Sequence, residues 1–167
     1  MTVRTRWLIA IVIAPVLWGV ACHDTDAPTA PPIPPDVQAL KTSLAPYSSL
    51  ALAKNAGYAV ALTDCMSNGD EGAMGVHWAN PELIDARTEA LKPEALIYEP
   101  GTDGQASFVG VEYIVPFALV AKTAPAPELF GQKFTQNDVF GVWALHVWTH
   151  RSNPSGLFAS WNPRVRC

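Results

Sequence analysis

Residues 140–150 read FGVWALHVWTH, and the conformation of this stretch decides how the whole chain is interpreted. In a helix, His146 and His150 would share one face at the four-residue spacing of a metal-binding pair. In a strand they also share a face, but they lie roughly 13 Å apart, too far to bind one ion. β-Branched and aromatic residues dominate the stretch, namely Val142, Trp143, Val147, Trp148 and Thr149. We therefore predict a strand and exclude a metal site made of His146 and His150.

Three further stretches have a strand-like composition: AMGVHWA (73–79), ALIYE (95–99) and SFVGVEYIV (107–115). The turn sequence PGTDGQA joins the last two and predicts a hairpin. Ahead of them, residues 37–57 carry apolar residues at three- and four-residue steps, which predicts a helical segment that Pro46 divides. We therefore expect an α+β domain whose N-terminal helical segment packs on an antiparallel sheet of about four strands.

Side chains alternate between the two faces of a strand, and this alternation sorts the residues of the predicted sheet. One set is large and apolar and is expected to pack against the helical segment: Met74, Val76, Trp78, Val109, Val111, Tyr113, Val115, Trp143, Leu145 and Val147. The other set combines small residues with polar ones: Gly75, Gly110 and Ala144 with His77, Glu112 and His146. Small residues beside inward polar ones are typical of a pocket, because they leave volume unfilled.

The polar set His77, Glu112 and His146 forms the candidate site. Two imidazoles and a carboxylate suit a divalent transition metal with open coordination positions. They also suit a metal-free acid–base site in which Glu112 orients a histidine. The remaining alternative is that the histidines are structural or lie on the surface. His150 is expected at the rim of this face, and Trp161 is expected to fold back over it unless it completes the core.

The first residues, MTVRTRWLIAIVIAPVLWGVAC, have a basic start, an apolar run and small residues before Cys22. This pattern predicts a signal peptide over 1–21, because the apolar run is too short to span a membrane. The stretch Gly19-Val20-Ala21-Cys22 resembles the lipobox of bacterial lipoproteins, which implies lipidation of Cys22. Gly19 stands where that family prefers Leu, so an ordinary signal peptide cut nearby remains the alternative.

Residues 22–36 are rich in Pro, Ala, Thr and Asp and predict a tether, followed by a single globular domain over 37–167. Without Arg4 and Arg6, nine of the eleven basic residues remain against fifteen acidic ones, a formal charge of −6. Such a charge disfavours nucleic acid as a partner, so the expected contacts are a membrane through the lipid and a small molecule or metal ion. The sequence leaves the choice between inner and outer membrane open.

The chain has three cysteines, and an odd number in an exported protein raises the question of the unpaired one. If Cys22 carries lipid, Cys65 and Cys167 remain and predict one disulfide in an oxidising compartment. The alternative is two free buried thiols.

Several motifs resemble a family of uncharacterised bacterial secreted proteins and lipoproteins: NAGY (55–58), GAMGVHWAN (72–80), GVEYIVP (110–116), LFGQ (129–132), and HVW (146–148) followed by NPSGLFASWNPRVRC (153–167). The resemblance implies an extracytoplasmic domain and assigns no reaction. We therefore expect a lipid-anchored domain that binds a small ligand or a metal ion on the face of His77, Glu112 and His146. The alternatives are a metal-dependent enzyme that uses the same face, and a structural or interaction module of the cell envelope without a pocket.

Overall fold

The computed structural model describes residues 32–167 and, ahead of them, Thr2 alone. The predicted signal peptide (1–21, apart from Thr2), the lipidation site at Cys22 and most of the predicted tether (22–36) lie outside the described residues. Residues 33–167 form one compact unit.

The described chain begins with two short helices, α1 over Pro35–Ser43 and α2 over Leu50–Asn55. A 3₁₀ turn over Ala45–Ser48 separates them, because Pro46 has no N–H to continue the helical hydrogen bonds. After α2, Gly57 has a φ of +98°, the left-handed conformation that commonly ends a helix. The helical segment is therefore divided near Pro46, as the sequence predicts. Within residues 32–167, no helix combines the length and the apolar character needed to cross a membrane.

The rest of the domain is a seven-stranded sheet whose paired strands are all antiparallel. The strands are β1 (Val60–Ala61), β2 (Met66–Ser67), β3 (Ala73–Ala79), β4 (Ala95–Pro100), β5 (Ala106–Pro116), β8 (Thr135–Asn137) and β9 (Val142–Val147). Six of them follow the order β1-β3-β4-β5-β9-β8, and β2 also pairs with β3. A separate hairpin consists of β6 (Glu128–Leu129) and β7 (Gln132–Lys133), and 3₁₀ turns lie at Gly69–Glu71 and Pro81–Leu83.

The predicted α+β class and the antiparallel sheet are confirmed, but the expected number of about four strands is wrong. The four predicted strands correspond to β3, β4, β5 and β9, and the hairpin of β4 and β5 is present. The additional strands β1, β2 and β8 have two or three residues each, too few for alternation to be visible. Strand β9 is also shorter than the predicted 140–150, since Gly141 occupies a turn with a φ of +67°.

The helices cover one face of the sheet and form the main core there. Val37 and Leu40 of α1, and Leu44 directly after it, are almost fully buried in one cluster with inward residues of β4, β5 and β9. Two buried tyrosines of this layer use their hydroxyls as donors, Tyr98 to the carbonyl of Tyr47 and Tyr113 to that of Ala90. This face receives most of the predicted bulky set, and the other face carries smaller apolar clusters together with the polar residues.

Two members of the bulky set lie elsewhere, because the strands bulge. Ile97 pairs with Gly110 while the next residue, Tyr98, pairs with Phe108, so the extra residue Val109 packs beside Ile97 and away from the helices. In β3, Gly75 has a φ of +88°, and Met74 before it lines a pocket together with His77. A bulge inserts one residue and inverts the alternation on one side of it. Alternation alone therefore assigns Val109 and Met74 to the wrong face.

The C-terminal tail is fixed to the sheet by several contacts. Cys65 and Cys167 form the predicted disulfide, with Cα atoms 5.5 Å apart and a sequence separation of 102. Asn162 pairs with Ala73 at the start of β3, and Val165 is fully buried.

Candidate metal centre

The candidate site lies on the face of the sheet opposite the helices, where one row of paired residues crosses four strands. Ala79 of β3 pairs with Ala95 of β4, Ala95 with Glu112 of β5, and Glu112 with His146 of β9. His77 lies two residues before Ala79 and therefore projects from the same face. Both alanines are fully buried, and their short side chains leave room for His77 to lean toward Glu112.

The three predicted site residues come together on this face. His77 Nε2 lies 3.0 Å from His146 Nε2 and 3.4 Å from Glu112 Oε2. His146 Nδ1 lies 3.6 Å from Glu112 Oε1. The histidines are 3% and 6% exposed and the glutamate side chain 12%. The three side chains therefore converge from β3, β5 and β9, although β3 and β5 are not neighbours in the sheet.

The separations of the side-chain donors suit a metal ion. One donor atom from each of the three residues lies within 4.8 Å of the other two. Ligands bound at 2.0–2.2 Å to a tetrahedral zinc ion lie about 3.3–3.6 Å from one another, which matches the 3.4 Å between His77 Nε2 and Glu112 Oε2. Two histidines with one glutamate also form a set that binds catalytic zinc or non-haem iron and leaves further positions open.

Neighbouring groups orient both imidazoles. Thr63 Oγ1 lies 3.3 Å from His77 Nδ1, which directs His77 Nε2 toward the cluster. Trp148 stacks on His146 with ring centroids 6.0 Å apart and planes 15° from parallel. A hydrogen bond to the second ring nitrogen is the usual way in which a metal-binding histidine is held. The sequence pattern gave no signal for Thr63, since this residue lies outside the four predicted strands.

Burial controls the protonation of the cluster. It lowers the pKa of His77 to about 4 and that of His146 well below its ordinary value, with His77 adding to the effect on His146. Burial also raises the pKa of Glu112 to about 8, and Glu94 adds to that shift. Without a metal, both imidazoles are neutral at pH 7 and Glu112 retains its proton. The imidazoles are then already in the form that binds metal, and Glu112 enters that form by releasing one proton.

Glu94 is a second buried carboxyl group near the cluster that the sequence did not indicate. It immediately precedes β4, is 2% exposed, and accepts a hydrogen bond of 3.0 Å from the backbone N–H of Ile114. Burial raises its pKa to about 8. Glu94 therefore satisfies a backbone donor of β5, and it is not one of the three residues whose donor atoms converge.

A pocket of about 220 Å³ opens beside the cluster. His77 and Glu112 lie in its wall with Thr63 and Asn137, and the rest of the wall is mainly apolar, including Leu62, Met74, Ile84, Ile114, Phe140 and Val142. His146 does not line the pocket and lies behind the other two. The small residues that suggested a pocket do not form it. A Cβ on Gly75 or Gly110 would lie 2.7 Å from the carbonyl oxygen of Tyr98 or Val147, so these glycines permit close backbone approach instead.

The two expected rim residues lie away from this pocket. Strand β9 ends at Val147, and His150 then packs on Phe108 of the helix-side core, with ring centroids 4.5 Å apart. His150 therefore does not share the face of His146, because the strand stops before alternation reaches it. Trp161 is half-buried in the tail, where its carbonyl accepts a hydrogen bond from Asn153, and it is not part of the pocket wall.

No family model, curated protein or solved structure matches the chain. The resemblance to secreted bacterial proteins therefore stays an expectation from the motifs.

Proposed function

We propose that this protein is a lipid-anchored extracytoplasmic domain that binds a divalent transition metal through His77, Glu112 and His146. The observation that carries the proposal is that three separate strands deliver one donor atom each to within 4.8 Å of one another in a buried position. Burying a carboxyl group between two imidazoles is costly unless a partner compensates the loss of water. A divalent cation provides that compensation.

A metal-dependent enzyme is the second candidate. Three protein ligands leave at least one coordination position free, as in catalytic rather than structural zinc sites. His77 and Glu112 line a pocket, so a free position on the ion would be accessible to a small molecule. This arrangement also favours ligand binding over a purely structural module of the envelope.

The metal proposal is tested by calorimetric titration of the full chain, purified without a histidine tag and stripped with a chelator. We expect one equivalent of Zn²⁺ or Co²⁺ to bind with micromolar or tighter affinity. His77→Ala and His146→Ala should each weaken binding at least a hundredfold. Glu112→Gln should weaken it as well, because the neutral amide replaces an anionic ligand.

His150→Ala and Glu128→Gln are the matched controls, since His150 packs on the opposite face and Glu128 is exposed on β6. Both should bind metal like the wild type. The metal proposal is wrong if neither zinc, copper, nickel, cobalt nor manganese binds at micromolar concentration, or if the His150 variant loses as much affinity as the His146 variant.

The lipid anchor is supported by the sequence around Cys22 and by the disulfide between Cys65 and Cys167, which suits an oxidising compartment. Cys22→Ser should move the protein from the membrane fraction to the soluble fraction of its host. A wild-type protein that already fractionates as soluble would contradict the anchor. This result would leave the metal proposal unaffected.

A further inference from the structure

The wall of the pocket beside the cluster divides into a polar floor and apolar sides. His77 and Glu112 supply the floor, Thr63 and Asn137 are two further polar residues of the wall, and Leu62, Met74, Ile84, Ile114, Phe140 and Val142 supply much of the sides. Two of these, Leu62 and Phe140, are 40% and 47% exposed and therefore lie where the pocket meets solvent. A molecule that fits such a wall is apolar along most of its length and polar at one end.

The charge of the pocket floor determines which polar group the bound molecule can carry at its polar end. A divalent ion, two neutral imidazoles and the Glu112 carboxylate together carry one net positive charge. No Lys or Arg is among the described residues that line the pocket, so nothing else there compensates an anion. In surroundings of low polarity, neutrality is reached with one monoanionic ligand. Without the metal, the same floor carries no positive charge that would attract an anion.

We propose that the pocket takes a small monoanionic amphiphile, of which a medium-chain carboxylate is the simplest example, with its head on the metal and its tail along the apolar wall. This inference rests on the metal proposal and adds the class of ligand. Water occupies about 30 Å³ in the liquid, so 220 Å³ accommodates roughly seven groups of that size, about the volume of a six- to eight-carbon chain.

The test uses the full chain loaded with Co²⁺, whose visible absorption changes when a new ligand enters the coordination sphere. Straight-chain carboxylates from acetate to dodecanoate are titrated in turn, with the metal-free protein in parallel. We expect affinity to rise by about threefold to fourfold for each added methylene, then to level off near eight carbons. The metal-free protein should bind none of them measurably.

Head and tail are tested separately. Octanol and octylamine match octanoate in length but lack the negative charge, and both should bind at least tenfold more weakly to the loaded protein. Phe140→Ala should weaken octanoate several-fold and leave acetate unchanged, because it shortens only the apolar wall. Val139→Ala is the matched control, since Val139 precedes Phe140, is 88% exposed and lies outside the pocket wall.

The outcomes separate the two proposals. If Co²⁺ binds but octanoate binds no more tightly than acetate, the ligand class is wrong and the metal proposal stands. If octanol equals octanoate, or the metal-free protein binds octanoate equally well, the anionic head on the metal is wrong. If no metal binds at all, the metal proposal fails and this inference fails with it.

Discussion

His77 and His146 place their Nε2 atoms 3.0 Å apart although β4 and β5 lie between their strands. Adjacent strands are separated by about 4.8 Å, so three such steps put the two backbones roughly 14 Å apart in a flat sheet. The two imidazoles meet because they lean toward each other across the strands between them. Ala95, which pairs with Ala79 of β3 and with Glu112 of β5, has no side chain long enough to block this approach.

Ala95→Val should therefore weaken metal binding at least tenfold, because two added methyl groups occupy the space through which His77 reaches Glu112. Overpacking a buried site of this kind also costs about 1–3 kcal/mol of stability. Ala144→Val provides the control, since Ala144 is a buried alanine on the same face but pairs with Ile114, outside the row. It should lose stability and retain metal affinity. Wild-type affinity in the Ala95 variant would show that this alanine does not control convergence.

The common face of His77, Glu112 and His146 was predictable, because the two-residue period of a strand follows from backbone geometry alone. Their meeting was not predictable in the same way. It depends on the strand order and on Ala79 and Ala95, whose effect appears only when the row across the sheet is known. A sequence pattern describes one strand at a time and carries no information on which strand is its neighbour.

The departures from the sequence prediction also have local causes. Val109 and Met74 lie on the face opposite to the predicted one, because a bulge adds one residue to the strand and shifts the alternation of side chains. His150 does not lie on the predicted face, because β9 ends at Val147 and the alternation of side chains ends with it. Glu94 and Thr63 were missed because each acts through one contact made in the folded state, with Ile114 and with His77. Such contacts leave no periodic trace in the sequence.

The affinity for metal should depend on pH through Glu112. Burial raises the pKa of this carboxyl to about 8, so below that pH the metal must displace one proton. Apparent affinity should therefore rise about tenfold per unit between pH 6.5 and 8 and level off above. The histidines do not compete in this range, because burial lowers the pKa of both. Zinc titrations at half-unit steps measure the slope. Glu112→Gln should flatten it, and a wild-type affinity that is constant above pH 6.5 would contradict the assignment.

The disulfide between Cys65 and Cys167 should contribute substantially to stability, since it closes a loop with a sequence separation of 102. Cys167→Ala should lower the free energy of unfolding by about 2–5 kcal/mol. The double variant Cys65→Ala with Cys167→Ala should lose no more than the single one, because both remove the same bond. Urea denaturation measures the free energy of unfolding of the single variant, the double variant and the reduced wild type. Two titratable thiols in the unreduced, denatured domain would show that the bond does not form.

The stability of the metal-free domain should fall as pH rises from 6.5 to 8, and Glu94 should supply part of this slope. Burial raises the pKa of both Glu94 and Glu112 from 4.5 to about 8, so in this range the folded state binds protons that the unfolded state has released. Each group then lowers the free energy of unfolding by at most about 1.4 kcal/mol per pH unit. The lowered histidine pKa values act in the opposite direction, but only below pH 6.5, where the unfolded histidines become charged.

Urea denaturation in the presence of a chelator, at half-unit steps from pH 6.5 to 8, measures this slope. Glu94→Gln should roughly halve it, because glutamine can still accept the hydrogen bond from Ile114 and does not titrate. The exposed Glu128→Gln on β6 should leave it unchanged. A free energy of unfolding that stays constant or increases over this range would mean that neither carboxyl holds its proton in the folded state.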